Sequence, residues 1–418
     1  MSVKNKDTPD WNTIKISFVL SFSILLNYIF WAINSYSFLK FLNFFILICF
    51  ILNFLFNKKF NKYFFVRSLF ISLLVLSLGS VVTDWDARSV WLFHAKRIFY
   101  DNSLYGGFDN YMPELMNAYP LLAPSLSATL AKILGYWNEV FPKSTNIIVL
   151  LPALLIQCSF IKNNKFNLIW IMFIILFSGR ILINGRTDGL VAMYFVSISL
   201  IVYKLFIENN LNFGSANKTK KINRLFLYFS GIFLGVILTL LKNEGLVLMG
   251  LILGITILFK IFYRKKFSFD FIFFNILIFL PIIFWKLMTV YHGIYPWVED
   301  YGQNLYHRIF LRFTDFQNYK ILFSYLFFNE KLILSLLIFI FAFFKKFKKN
   351  KMIFKFIIVN ASMYYLVLCL IYLSTPYNLD WHLNSSAHRV LISIVLLLTY
   401  FSVLSLQKEE IILWKKKY

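Results

Sequence analysis

Long apolar runs separated by short polar segments make up most of this chain. About 20 apolar helical residues cross the ~30 Å core of a bilayer, and backbone groups in lipid must be hydrogen-bonded internally, as they are in helices. Alternating period-2 segments, typical of membrane barrels, are absent from the sequence. The pattern predicts an all-α polytopic membrane protein, a single transmembrane domain over 1–418 with about 12 transmembrane helices. The predicted spans are 16–33, 38–56, 65–82, 147–161, 166–183, 190–207, 225–241, 246–263, 269–290, 332–344, 354–373 and 390–406.

Short basic segments between these runs predict the orientation of the chain, because loops rich in lysine and arginine face the cytoplasm. These segments are residues 57–64, 162–165, 209–224, 264–266 and 345–351. The N-terminal 15 residues lack the pattern of a cleavable signal peptide, so the first run is predicted to be a retained span. Both termini are then cytoplasmic. The predicted location is a plasma membrane, specifically a bacterial inner membrane, with the polar non-basic segments on the external, periplasmic face.

The longest interruption of the apolar pattern, residues 83–143, is predicted to be an external catalytic loop with juxtamembrane helices. Five of the 19 acidic residues lie between positions 83 and 124: Asp84, Asp86, Asp101, Asp109 and Glu114. Residues 119–136 are apolar but contain two prolines, and counting them as a span would reverse every later basic loop. We therefore expect a short helix embedded in or lying along the outer interface.

Two further external segments are predicted, at 291–331 with an amphipathic helix around 316–328, and at 374–389 as a late external loop. Composition supports the membrane assignment, since 59% of residues are hydrophobic, 15% are charged and the mean hydropathy is +0.68. The net charge of +24 raises the alternative of nucleic-acid binding. We expect no nucleic-acid partner, because the basic residues follow the loops as the membrane orientation rule requires. The three cysteines each lie inside an apolar run and indicate neither a disulfide nor a metal cluster.

The motif DWDARSVW brings two carboxylates, Asp84 and Asp86, to the start of a predicted helix. One role open to either is to cap that helix, since side-chain oxygens accept from its free N–H groups. The other is general base catalysis, in which a carboxylate within hydrogen-bond reach takes a proton from an incoming hydroxyl.

Charged residues also head two later spans, in the motifs GRTDGL and KNEG. Asp188 either caps its helix or contacts a substrate. Lys242 and Glu244 lie between two apolar runs with almost no loop, and charges at that depth are costly unless paired or functional. Lys242 either neutralises a lipid phosphate or extends to the interface.

The segment TPYNLDWHLNSSAHR holds two of the five histidines, His382 and His388, near Asp380. A zinc site is left open, although no i,i+4 pair with a third ligand is evident. Arg389 can bind a phosphate through bidentate hydrogen bonds, or it can form a salt bridge with Asp380.

Taken in order, WDARSVWLFHAK, YPLLAP, GRTDGL, KNEG and TPYNLDWHLNSSAHR, over roughly 65–405, resemble the polytopic GT-C glycosyltransferases. That family includes protein O-mannosyltransferases and lipid A aminoarabinose transferases. The resemblance implies a sugar donor linked to polyprenyl phosphate, a glycan, lipid or protein acceptor, and an inverting mechanism. It also implies a catalytic aspartate in the first external loop, which matches Asp86 first and Asp84 second. The chain departs from the family in having two spans before the one that leads into this loop, and in lacking an Asp-Glu pair there.

The resulting hypothesis is an external membrane glycosyltransferase that also contacts membrane lipids. It requires no cofactor, is compatible with a divalent metal, and has no predicted metal ligands. The predicted donor-phosphate residues are Lys242, Arg389, Arg186 and His382, and the predicted substrate-binding residues are Tyr119, Asp188, Glu244, Trp381 and His388. Two alternatives stay open. One is an oligosaccharide polymerase or ligase that uses a lipid diphosphate donor. The other is a transporter, for which broken helices and inverted repeats would be expected.

Overall fold

A computed structural model describes residues 9–82, 84–109, 111–112, 115–208, 218–265, 267–294 and 305–407. The regular elements in these ranges are all helical. They are α1 (Trp11–Ala32), α2 (Ser37–Phe56), α3 (Phe64–Gly79), α4 (Phe93–Asp101), α5 (Leu122–Leu134), α6 (Thr145–Phe160), α7 (Asn164–Ile183), α8 (Asp188–Val202), α9 (Lys218–Leu241), α10 (Asn243–Phe262), α11 (Phe269–Tyr291), α12 (Leu305–Thr314), α13 (Phe316–Leu326), α14 (Glu330–Ser374), α15 (Leu379–Val390) and α16 (Ile392–Leu406). Glu114 and parts of the predicted segments 209–224 and 291–331, together with the C-terminal tail, lie outside the described residues.

The described chain contains eleven helices that are long and apolar enough to cross a membrane, or twelve if one bent pair is a single span. The bent pair joins α13 to Glu330–Lys348 at an angle of 68°. This confirms the prediction of an all-α protein with about 12 apolar helices, as a multi-pass membrane protein has. The amphipathic helix predicted around 316–328 is found as α13.

Helix α8 lies at the centre of the bundle, where all fifteen of its residues are buried. Its sequence is apolar on every side after the first residue, and such a helix is stable only when it is surrounded by others. It packs against α6, α9 and α16. The acid that begins this helix, Asp188, is therefore held at the middle of one end of the bundle.

The short helix predicted within 119–136 is found as α5, which has thirteen residues. At 1.5 Å per residue it is too short to cross a bilayer. It packs against α1, α4 and α6, and the Trp31 indole N–H donates to Thr129 Oγ1 over 2.8 Å. This segment is therefore a short, largely buried helix that supports the chain between Asp86 and α6.

The late segment, predicted as a loop, is largely helical. It forms α15, and it leads into α16 so that Leu379–Leu406 is one long helical run. Its apolar residues Leu379, Leu383 and Ala387 are buried at four-residue spacing, a helical stripe that the surrounding polar residues obscure. The basic segment 345–351 contains the kink between the two helices that make up α14, at the non-helical residue Asn350. Phe339 and Phe343 before the kink both lie 5.5 Å, between ring centroids, from Phe354 after it, so the two helices pack against each other.

Two ends of the bundle can be distinguished. The end that carries Asp188 is called the acidic end, and α3, α7 and α9 all finish there. At the opposite end the N–H of Asp10 donates to Ser159 O over 3.0 Å, and Gln407 Nε2 donates to Phe160 O over 2.9 Å. The first and last parts of the described chain therefore meet at the end away from Asp188.

Gly245, in the first turn of α10, makes an unusually close approach to α9. A Cβ atom at this position would lie 1.9 Å from the carbonyl oxygen of Leu238. We expect Gly245→Ala to lower the unfolding free energy by about 1–3 kcal/mol, the usual cost of overpacking. The measurement is thermal unfolding of the detergent-solubilised protein. Gly250→Ala on the same helix is the control, because its Cβ would meet nothing within 4 Å; an equal shift in both variants would contradict the steric explanation.

Candidate active site

Asp84 caps the helical turn that follows α3. One of its carboxylate oxygens, Oδ1, accepts from the N–H of Ala87 over 3.3 Å. The other is ion-paired with Arg186 in the turn between α7 and α8, and accepts from Asn184 Nδ2 over 3.5 Å. Asp84 thus makes the capping contact, one of the two roles open to it.

Asp86 has different surroundings, although it lies only two residues further on. Its side chain caps no helix and forms an ion pair with Arg389 near the end of α15. The side chain is 30% exposed, against 12% for Asp84. Asp86 is therefore the more accessible of the two carboxylates to a molecule outside the bundle.

Of the two partners left open for Arg389, the salt bridge to Asp380 is not formed, because Asp380 is nine residues earlier on the same helix and is exposed. The i,i+9 spacing places the two side chains about 14 Å apart along the helix axis. Arg389 instead bridges two acids of other elements, since its Nη1 also lies 3.8 Å from Asp188 Oδ2.

Lys242 connects the remaining acids of the acidic end. Its Nζ lies 2.9 Å from Asp188 Oδ1 and 2.8 Å from Glu244 Oε1. It is a single extended residue between α9 and α10, with φ −165° and ψ 154°. Because no loop separates these helices, its side chain is held against Asp188 and Glu244.

The charge state of this lysine follows from its neighbours. Burial alone would lower the pKa of Lys242, but the carboxylates of Asp188 and Glu244 together raise that pKa well above its ordinary value. Lys242 is therefore a permanent cation at any physiological pH. We call the set Asp84, Asp86, Arg186, Asp188, Lys242, Glu244 and Arg389 the charge network.

An aromatic pair forms one wall beside the charge network. The rings of Trp91 and Tyr119 are stacked with centroids 5.7 Å apart and 24° between their planes. Lys242 Nζ lies 5.8 Å from the centroid of the Tyr119 ring. Burial and the nearby carboxylate of Glu244 raise the pKa of Tyr119, so its hydroxyl stays protonated and can donate a hydrogen bond. Trp91 belongs to a π-helical turn, Ala87–Leu92, a wide geometry that is frequent at functional sites.

Three predicted residues of α15 do not join the charge network through a direct contact. Trp381 is exposed, and His382 Nδ1 makes a 2.8 Å hydrogen bond with Thr375 Oγ1. His388 directly precedes Arg389 but its side chain is exposed. Within the ranges that the structure describes, no group of three or more His, Cys, Asp or Glu residues is arranged to hold a metal ion.

Lys286 is a fourth cation of this region that the sequence interpretation missed. It lies near the end of α11, and its Nζ donates to Asn243 Oδ1 over 3.0 Å and to Ala118 O over 3.5 Å. These two neighbours directly adjoin Lys242 and Tyr119 in the chain. Both acceptors are neutral, and among the described residues Lys286 forms no ion pair. A lysine inside an apolar run is itself the signal that could have found it, because charges at that depth are usually functional.

The chain matches no protein-family model, no curated protein and no solved structure.

Proposed function

We propose that this protein is a membrane glycosyltransferase that moves a sugar from a polyprenyl-phosphate donor to an acceptor hydroxyl. The observation that carries the proposal is a partly exposed carboxylate, Asp86, held against Arg389 at one end of an apolar helical bundle. A base beside a cation in such a position suits a reaction in which a hydroxyl loses a proton while a phosphate departs. The proposed location is the external face of a bacterial inner membrane, in agreement with the basic loops.

Two cations support binding of the donor phosphate. Lys286 has only neutral partners in the described chain, so an arriving phosphate displaces no acid from it. Arg389 already shares its charge between two aspartates, and its planar guanidinium can transfer hydrogen bonds to a phosphate. A phosphate that takes over Arg389 would release the carboxylate of Asp86 from its ion pair. In this proposal, donor binding therefore prepares the base.

The proposed step is a single displacement. Asp86 accepts the proton of the acceptor hydroxyl, and the oxygen attacks the anomeric carbon of the donor sugar. The bond from that carbon to the phosphate oxygen breaks, and its electron pair leaves with polyprenyl phosphate. The configuration at the anomeric carbon is inverted. Cationic side chains can neutralise a phosphate monoester, so the reaction as written requires no cofactor and stays compatible with a divalent metal.

The aromatic pair supports the placement of a sugar at this end. The half-buried ring of Tyr119, stacked on the buried ring of Trp91, provides an apolar wall beside Lys242. A pyranose presents an apolar face of C–H groups together with hydroxyls, and Tyr119 is protonated and able to donate to one of them. We assign the sugar of the donor to this wall.

The test is reconstitution of the purified protein in liposomes with polyprenyl-phosphate sugars that are radiolabelled in the sugar. We expect label to pass to acceptors in a membrane extract, with stoichiometric formation of polyprenyl phosphate. Protein-free liposomes and a lipid diphosphate oligosaccharide donor are the controls. Consumption of the diphosphate donor alone would indicate a polymerase or ligase. Movement of sugar across the bilayer without transfer would indicate a transporter, and either result would contradict the proposal.

A further inference from the structure

A cavity lies between the α12–α13 turn and the start of α15, the helix whose other end carries Arg389 of the charge network. Its volume is about 370 Å³, within the ~300–1,000 Å³ of small-molecule sites. The polar side chains that line it are Arg312, Asp315, Asn318, Asn378 and Asp380. None of these residues has a role in the proposed chemistry.

The walls of this cavity are held by hydrogen bonds to backbone. Arg312 donates to the carbonyl oxygens of Tyr372 over 3.1 Å and Tyr377 over 2.7 Å. These contacts fix α12 against the end of α14. Asp315 and Asn378 cap the helices that border the cavity, accepting from the N–H groups of Gln317 and Trp381. The polar groups are thus arranged before any ligand arrives, which lowers the entropic cost of binding.

The chemistry of the lining favours a neutral, polyhydroxylated ligand. Two carboxylates, Asp315 and Asp380, repel an anion, and the guanidinium of Arg312 is already used by backbone carbonyls. The carboxylates accept hydrogen bonds, and the amides of Asn318 and Asn378 both donate and accept. Asn318 already donates to Arg312 O and to Asp315 Oδ2, each over 3.3 Å, so sugar hydroxyls would use mainly the remaining lone pairs of the two carboxylates.

An exposed aromatic ring stands beside this lining. Trp381 is 59% exposed and its ring lies 5.4 Å from that of Tyr377. Leu311, Ile321 and Leu379 supply apolar surface inside the cavity. A sugar ring has both apolar C–H groups and polar hydroxyls, so it can contact the apolar and the polar side chains of this cavity together. A metal ion or an inorganic anion would make no use of the apolar side chains.

The cavity and the proposed base are connected by one rigid helix. Asp380 borders the cavity and Arg389, the partner of Asp86, follows nine residues later on α15. That separation is about 14 Å along the helix axis, and the nine-residue spacing places the two side chains on opposite faces of α15. A chain of a few sugars can span this distance, whereas one monosaccharide cannot.

We propose that this cavity, formed by Arg312, Asp315, Asn318, Asn378 and Asp380, binds an oligosaccharide acceptor. The inference rests on the proposed transfer function and narrows the acceptor from a glycan, lipid or protein to a glycan chain. In this proposal the acceptor sugars that occupy the cavity are contacted by the cavity residues alone. The charge network does not contact these sugars.

The experiment measures binding in the absence of any lipid donor. Full-length protein in nanodiscs is titrated with three neutral probes, cellotriose, chitotriose and mannotriose, and followed by saturation-transfer NMR. We expect at least one probe to bind, and Asp380→Asn to weaken that binding roughly tenfold, the effect of losing one charged hydrogen-bond acceptor. Ile321→Trp fills the cavity and should abolish binding. Glu330→Gln is the matched control, an exposed acid at the start of α14 outside the cavity, and should bind as the wild type does.

Failure of all three probes to bind would overturn the acceptor site, and so would binding that neither variant changes. Either result leaves the transfer assay in liposomes unaffected. Conversely, binding that depends on Asp380 in a protein without transfer activity would retain the glycan site and reject the transferase. Two variants of different kinds, one isosteric and one that fills space, keep the test decisive if one of them unfolds.

Discussion

Asp86→Asn is expected to reduce the rate of sugar transfer by about 10²–10⁴-fold, the usual contribution of a general base. The amide has the size of the carboxylate but cannot take a proton from the acceptor hydroxyl. It also leaves Arg389 with Asp188 as its remaining acid, at 3.8 Å, so the arginine is not left without a counter-charge. The measurement is the rate of polyprenyl-phosphate release in liposomes at saturating donor.

Asp84→Asn is the matched control for that experiment, since it is the same substitution two residues earlier. Its carboxylate caps a helical turn and pairs with Arg186. We therefore expect a loss of stability of about 1 kcal/mol or more from the cap and the buried pair, with a smaller loss of rate in the folded protein. Full activity in Asp86→Asn together with an inactive, folded Asp84→Asn would exchange the roles of the two residues.

Lys242→Met is expected to destabilise the folded protein by about 3–5 kcal/mol, the cost of removing one partner of a buried ion pair. Asp188 is only 7% exposed at its side chain, so its charge would lose its nearest cation without gaining water. The measurement is chemical unfolding in mixed micelles, followed by tryptophan fluorescence. The second variant, Lys242→Met with Asp188→Asn, should recover part of the loss because the buried charge is removed with its partner.

The control for Lys242 is Arg88→Met, which removes an exposed ion pair. Arg88 Nε lies 3.0 Å from Glu139 Oε2, with exposed side-chain fractions of 57% and 40%. Such pairs contribute about 0–1 kcal/mol. Equal destabilisation by both variants would contradict the view that burial makes Lys242 important.

The pH dependence of this contribution follows from the sign of the pKa shift. The folded protein raises the pKa of Lys242, so its stabilisation is fully present below the unfolded-state pKa of about 10.4 and is lost only as pH rises through the folded value. The difference in stability between wild type and Lys242→Met should therefore be constant from pH 6 to 9.

The helices and the order of polar clusters could be predicted from the sequence because both depend on local pattern. Apolar runs of about 20 residues specify spans without reference to the rest of the chain. The short helix α5 could also be predicted from the sequence. Its segment contains prolines, and counting it as a span would place all later basic loops on the opposite side of the membrane. The pairing of residues distant in sequence does not depend on local pattern, so the contacts of the charge network could not be predicted in this way.

The site illustrates this limit. Arg389 could be placed near a phosphate or near Asp380, but its actual partner, Asp86, is 303 positions away. The helix α15 was hidden because its buried stripe of three apolar residues is sparse among polar ones. Lys286 lies within the predicted apolar span 269–290 and was therefore not considered as a site residue. Its contact with Asn243 shows that its side chain reaches the acidic end.

The wide sequence separations in the charge network impose an order on biosynthesis. A chain inserted from its N-terminus brings Arg186 to Asp84 first, then Lys242 to Asp188, and supplies the cation for Asp86 only with the last helices. Until then the nascent protein carries a carboxylate without its counter-ion at the end of a membrane bundle. The final helices bring Arg389 to Asp86 and so neutralise this carboxylate. A fragment released from the ribosome before these helices are made would keep the Asp86 carboxylate unpaired, a feature that quality-control proteases can recognise.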